Sequence, residues 1–190
     1  PNNIDIFPLS VLPGTELSER AEELGLQHLG FPSYEIIRTP NLSPPEIAGA
    51  AELTDACDEL YNRGRAFPWF MTVTGALGIT PSELFYLYSK WKKEQPPGGR
   101  TETLDFIAAR LRMSGKTSLI PVIKSFIIWS RTAEAAFMNP GKTYRVSLCR
   151  KPEILDKLAE MKAEDFLEKY PSGKTRNYRI IFDGNELYLN

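Results

Sequence analysis

Phe7-Pro-Leu-Ser-Val-Leu-Pro-Gly-Thr-Glu-Leu17 is the stretch whose reading decides how this chain is organised. Ile4, Ile6 and the apolar run over residues 9–12 read as a buried strand, apolar on both sides. Pro13-Gly14 turns the chain, and the Thr15 hydroxyl is placed to cap a following helix. That helix is expected over residues 16–24, with Leu17, Ala21 and Leu24 on one apolar stripe. Gly25 then supplies the left-handed residue that ends it.

Outward from this unit, residues 31–40 are bounded by prolines and read as an extended segment or edge strand. Ser43, Pro44 and Glu46 form the sequence signature of a capping box. Ile47, Ala50, Ala51, Leu53, Ala56, Cys57, Leu60 and Tyr61 keep a helical period to Asn62, and Gly64 closes it. Pro68 and Gly78 bracket a further apolar helix. Thr80-Pro-Ser-Glu83 opens the next, whose far end carries Lys90, Lys92 and Lys93, where cations suit the helix dipole. Gln95-Pro-Pro-Gly-Gly-Arg100 reads as a loop and Thr101 as a new helix start, with Leu104, Ile107, Ala108 and Leu111 facing inward. Residues 118–137 read as one long helix, ended by Asn139-Pro-Gly141. The period then changes to two over residues 143–149, with Tyr144, Val146 and Leu148 on one side. Short helices follow over 152–161 and 163–170, then a turn at Pro171-Ser-Gly-Lys174. Asp183-Gly184 between alternating runs marks a terminal hairpin. The fold class is therefore α+β, mainly helical: a bundle-like helical body, a small C-terminal antiparallel sheet and an N-terminal strand–turn–helix unit.

The string Leu12-Pro-Gly-Thr-Glu-Leu17, followed by Ala21 and Gly25-Leu26, resembles the closing part of the barrel in radical S-adenosylmethionine (SAM) proteins. It is most similar to those with an N-terminal cobalamin-binding domain. Tyr34-Glu-Ile-Ile-Arg-Thr-Pro40 and Leu42-Ser-Pro-Pro-Glu-Ile47 fit the same pattern. The likeness is good over residues 4–62. It thins over 63–95, where Phe67, Phe70, Thr72 and residues 82–88 resemble a helical extension of unknown function after that barrel. The resemblance implies residues 1–40 as a barrel remnant with linker, and 41–190 as a helical C-terminal accessory domain with a terminal β-hairpin. It implies a parent with a [4Fe–4S] cluster, S-adenosylmethionine and cobalamin, and places Gly14 and Thr15 near the cofactor-facing end. The family holds its cluster with a Cys-x-x-x-Cys-x-x-Cys loop, whereas this chain has only Cys57 and Cys149 and begins at Pro1. The implied reading is a C-terminal piece that holds no cofactor, is not itself catalytic, and has the rest of the parent chain as its partner.

Composition bounds the alternatives. At 190 residues, 42% apolar and 25% charged, the chain fits one domain, or one domain and a remnant. No apolar run of about 18 residues occurs, so no membrane span is expected. Two widely spaced cysteines suggest neither a disulfide framework nor a zinc site, and a cytoplasmic setting is expected. Charge is uneven. Residues 1–85 carry 4 basic and 12 acidic residues, a net −8; residues 86–151 carry 13 and 4, a net +9. The basic segment (Lys90, Lys92, Lys93, Arg100, Arg110, Arg112, Lys116, Lys124 and Arg131) is interleaved with Tyr86, Tyr88 and Trp91. That pattern makes Lys90, Lys92, Lys93, Arg110 and Arg112 candidates for contact with a protein or nucleic acid. A pI near 6.0 argues against a dedicated nucleic-acid binder, and the acidic first part is available to neutralise the basic one.

His28 is the single histidine, which leaves histidine-dependent hydrolysis with one candidate, in a loop. Cys57 sits at an apolar helical position and reads as a structural thiol. Cys149 ends a strand near Arg145 and Arg150, which favour a thiolate, yet it too reads as structural. Glu52, Asp55, Asp58 and Glu59 read as a solvated acidic helix face rather than a metal site. The N-terminal strand, with its edges open, offers a route to self-association.

Overall fold

A computed structural model describes residues 2–95, 103–171 and 173–189. It shows an α+β chain, mainly helical, with eight α-helices, a two-stranded sheet and a three-stranded antiparallel sheet among the described residues. The loop expected from Pro96 to Arg100, the helix start at Thr101, and Ser172 of the expected turn lie outside the described residues.

The helical body follows its local signals. α2 (Pro44–Cys57) begins where Ser43 N–H and Oγ–H donate to Glu46 Oε2 at 2.8 and 2.6 Å. α3 (Phe70–Leu77) ends on Gly78 at φ 72°, and α4 (Pro81–Lys93) begins with a capping box between Thr80 and Glu83. α5 (Thr103–Met113) and α6 (Ile120–Met138) follow, α6 entered through a single 3-10 turn (Thr117–Leu119). α6 is the central helix. It packs on α5, on α7 (Pro152–Leu155), and on the sheet strands β3 (Tyr144–Leu148) and β4 (Arg176–Phe182). α8 (Ala163–Lys169) closes the side near α3. Trp69, Phe106, Phe166, Ile123, Ile127 and Leu155 are fully buried in one continuous core. Around Phe106 the rings of Tyr88 and Trp91 lie 5.1 and 5.4 Å away.

The C-terminal sheet has the order β3-β4-β5, with β5 at Leu187–Leu189. Tyr144 pairs with Ile180, Val146 with Tyr178 and Leu148 with Arg176. Alternation sends Leu148 and Ile180 into the same core as the helices. The sheet therefore shares the helical core and does not build one of its own.

Several expectations need correction. The run over residues 4–12 is not a buried strand. Ser10 forms an isolated bridge with Glu35, Val11 is fully buried, and Phe7 is 83% exposed. Pro8 and Pro13 cannot donate to a ladder, and the segment has one neighbour rather than two. The helix expected over 16–24 is the single turn α1 (Glu16–Glu19), followed by turns to Gly25 at φ 65°. Four glutamates crowd this stretch and Leu24 is exposed, so too little apolar area is buried to hold a longer helix. β1 (Gln27–His28) and β2 (Ile36–Arg38) pair antiparallel beside it. Val11, Ala21 and Ile36 form a second, small cluster with Leu17, Leu26 and Ile47 packed against it.

The helix expected to run to Asn62 changes period after α2: Asp58–Arg63 is a π-helix, and Gly64 ends it. A Cβ at Gly64 would meet the Leu60 carbonyl oxygen at 2.0 Å, so glycine is the residue that fits this closure. Arg131 Nε donates to the Gly64 carbonyl at 2.8 Å and ties the turn to α6. The helix expected over 152–161 is α7 followed by a 3-10 turn (Asp156–Ala159).

Candidate functional site

The N-terminal unit carries the residues with the strongest motif content. Gly14 has φ 79° in the turn, and Thr15 caps α1. Thr15 Oγ donates to the Leu12 carbonyl at 2.7 Å and accepts from Ser18 N–H at 3.3 Å. Its hydrogen-bonding capacity is thus engaged locally. Around this turn Ile6, Phe7, Leu9, Leu12, Phe31 and Leu42 are all exposed. The unit is fastened to the helical body at one further point: Ile4 N–H donates to Asn62 Oδ1, and Asn62 Nδ2 donates to the Ile4 carbonyl, both at 3.0 Å.

In the basic segment, α4 lies along α2, and the two charge patterns meet. Lys92 pairs with Glu59, and Lys93 with Glu52 at 2.6 Å. Asp58 pairs with Arg63 at 2.7 Å. Lys90 Nζ sits 4.4 Å from the Tyr86 ring centre, and the Arg110 guanidinium 5.7 Å from that of Phe106. Lys116 pairs with Glu164 at 2.9 Å and Lys124 with Asp105 at 3.4 Å; the Lys116 bond holds the Glu164 carboxyl below its usual range. Arg112 is exposed at the end of α5, and Arg100 lies outside the described residues.

The reactive residue types are dispersed. Half-buried His28 has Nδ1 2.9 Å from the Leu29 carbonyl. Cys57 is buried, and burial, then the charge of Asp58, pushes its thiol pKa up, away from a reactive thiolate. Cys149 is also buried, its Sγ 3.4 Å from the Pro121 carbonyl. Among the described residues no group of three or more His, Cys, Asp or Glu side chains converges as a metal site. With two cysteines, the chain does not fit a cluster that takes three thiolates.

One cationic group was not legible as a unit in the sequence. Arg150, Lys151, Lys174 and Arg176 line a common cavity beside the sheet. They come from two segments, 150–151 and 174–176, more than twenty residues apart, and the nearest sequence signal was only that Arg150 adjoins Cys149.

Comparison with family models, curated proteins and solved structures gives no match for this chain.

Proposed function

We propose that this chain is the C-terminal accessory region of a radical SAM protein of the cobalamin-binding type, not catalytic by itself. The carrying observation is the N-terminal unit, where the family-like turn Pro13-Gly14-Thr15 sits among exposed Ile6, Phe7, Leu9, Leu12 and Phe31. So much exposed apolar area in one short unit supports a docking role. On this reading the partner is the remainder of the barrel, and the helical body bears on the barrel's open end, where it helps bind substrate or partner. The [4Fe–4S] cluster, S-adenosylmethionine and cobalamin belong to the parent, which supplies the reductive radical chemistry. Two unpaired, buried cysteines fit a reducing cytoplasmic setting. A nucleic-acid role for the basic segment has less support, because Lys92 and Lys93 are engaged by Glu59 and Glu52.

The test begins with the coding sequence upstream of Pro1. A Cys-x-x-x-Cys-x-x-Cys loop in the same frame is expected, and its absence overturns the proposal. The isolated chain, reconstituted anaerobically with iron and sulfide, is expected to show no [4Fe–4S] absorbance at stoichiometric level.

A further inference from the structure

Arg150 is 8% exposed and forms no ion pair among the described residues. It follows β3, whose register with β4 sets Leu148 opposite Arg176. Its Nη1 donates to the Cys149 carbonyl at 2.7 Å, and its Nη2 to the Tyr170 carbonyl at the end of α8 at 2.9 Å. Its Nε is buried without a hydrogen-bond partner. A guanidinium has five N–H donors, so the two carbonyls leave it under-used. A buried charge with no counter-charge is unfavourable.

The surroundings add cations. A cavity of about 210 Å³ is lined by Arg150, Lys151, Lys174 and Arg176, with Cys149, Ile154, Gly173 and Tyr178 completing the wall. Among the described residues the lining contains neither Asp nor Glu, and none of these four cations forms an ion pair. This contrasts with Lys92 and Lys93 on α4, Lys116 just after α5 and Lys124 on α6, which all have carboxylate partners. Alternation along β4 puts Arg176 and Tyr178 on one side of the strand, facing the cavity. Gly173 lies beside the guanidinium, where a Cβ would stand 3.4 Å from Arg150 Nη1, an ordinary contact.

We propose that this cavity binds a phosphate group carried by a small molecule. Four convergent cations with no acid among them match a dianion, and Arg is suited to two-pronged recognition of phosphate oxygens. A bound phosphate gives the Arg150 charge a partner of opposite sign. The cavity has room for the phosphate and several waters, at about 30 Å³ each.

The test uses the full chain with inorganic phosphate as probe, by titration calorimetry and thermal unfolding, against sodium chloride at matched ionic strength. One-to-one binding and a rise in melting temperature beyond that in chloride are expected. The exposed pair Lys174→Gln/Arg176→Gln is expected to weaken binding at least tenfold while leaving the fold intact. Arg150→Met is expected to abolish binding, and the double variant keeps the test decisive if that protein does not fold. Equal shifts in phosphate and chloride overturn the proposal. So does single-stranded oligonucleotide binding that is lost in Arg145→Gln/Arg179→Gln but unchanged in Lys174→Gln/Arg176→Gln, since Arg145 and Arg179 pair across β3 and β4 and do not line this cavity.

Discussion

Tyr88 shows how burial sets chemistry at a single residue. It is 3% exposed, and burial, followed by the charge of Glu59, pushes its phenol from the usual 10 up to about 12. The folded state thus holds the phenolic proton more tightly than the unfolded state does. The associated stability is fully present below pH 10 and is lost as pH rises toward 12. Tyr88→Phe keeps the ring against Phe106 and removes the titration. Urea unfolding of the variant is expected to fall less steeply between pH 10 and 12 than the parent, with the two chains close at pH 7. A parallel decline would assign the alkaline sensitivity to other groups, Tyr61 among them, whose pKa is also raised by burial.

Helix starts are governed by their caps. At α4 the Thr80 hydroxyl accepts from Glu83 N–H at 3.3 Å, and Glu83 Oε2 accepts from Thr80 N–H at 2.7 Å. Thr80→Ala removes half of this box and is expected to cost about 1 kcal/mol in chemical denaturation. The bond from the Thr80 backbone, then that from its hydroxyl, lowers the Glu83 pKa below 4.5; at α2 the Ser43 hydroxyl, then its backbone, does the same for Glu46. A lowered carboxyl stabilises the fold above the unfolded value and loses that contribution as pH falls through the folded one. Acid titration is therefore expected to weaken α2 and α4 at their N-termini below about pH 4.5, and Glu83→Gln to remove that acid sensitivity at α4. Amide exchange at Ser82, Glu83 and Leu84 reads this directly.

Over the whole molecule the apolar side chains divide unequally. The large core runs from Ala56 to Ile180, while the N-terminal cluster has three buried residues: Val11, Ala21 and Ile36. Less buried area means a lower local opening energy. Amides over residues 9–42 are expected to exchange at lower free energy than those of α6; equal protection would make the chain one cooperative unit. Phe7→Ser with Leu9→Ser alters two exposed positions, so global stability is expected to change by no more than about 0.5 kcal/mol. If the N-terminal unit is a docking surface, the same pair reduces retention of a separately expressed barrel, and unchanged retention contradicts that role.

Short-range signals were legible because they are complete within a few residues. The boxes Ser43–Glu46 and Thr80–Glu83, the glycine end at Gly78, the alternation Tyr144–Val146–Leu148 and the Asp183-Gly184 hairpin each need only their neighbours. The mainly helical α+β class follows from them. The strand over 4–12 and the helix over 16–24 misread because their formation depends on what lies alongside. An apolar run becomes a barrel strand only with partners on both edges, and a narrow stripe becomes a helix only when something covers it. The charges follow the same rule. Lys92 meets Glu59 across 33 positions because α4 lies along α2. Arg150, Lys174 and Arg176 converge because the β3–β4 register and the docking of α8 bring their segments together. Sequence determined which residues cap, turn and alternate; tertiary structure alone decided which cations are neutralised and which are left facing a cavity, since Coulomb interactions depend on distance in space and not along the chain.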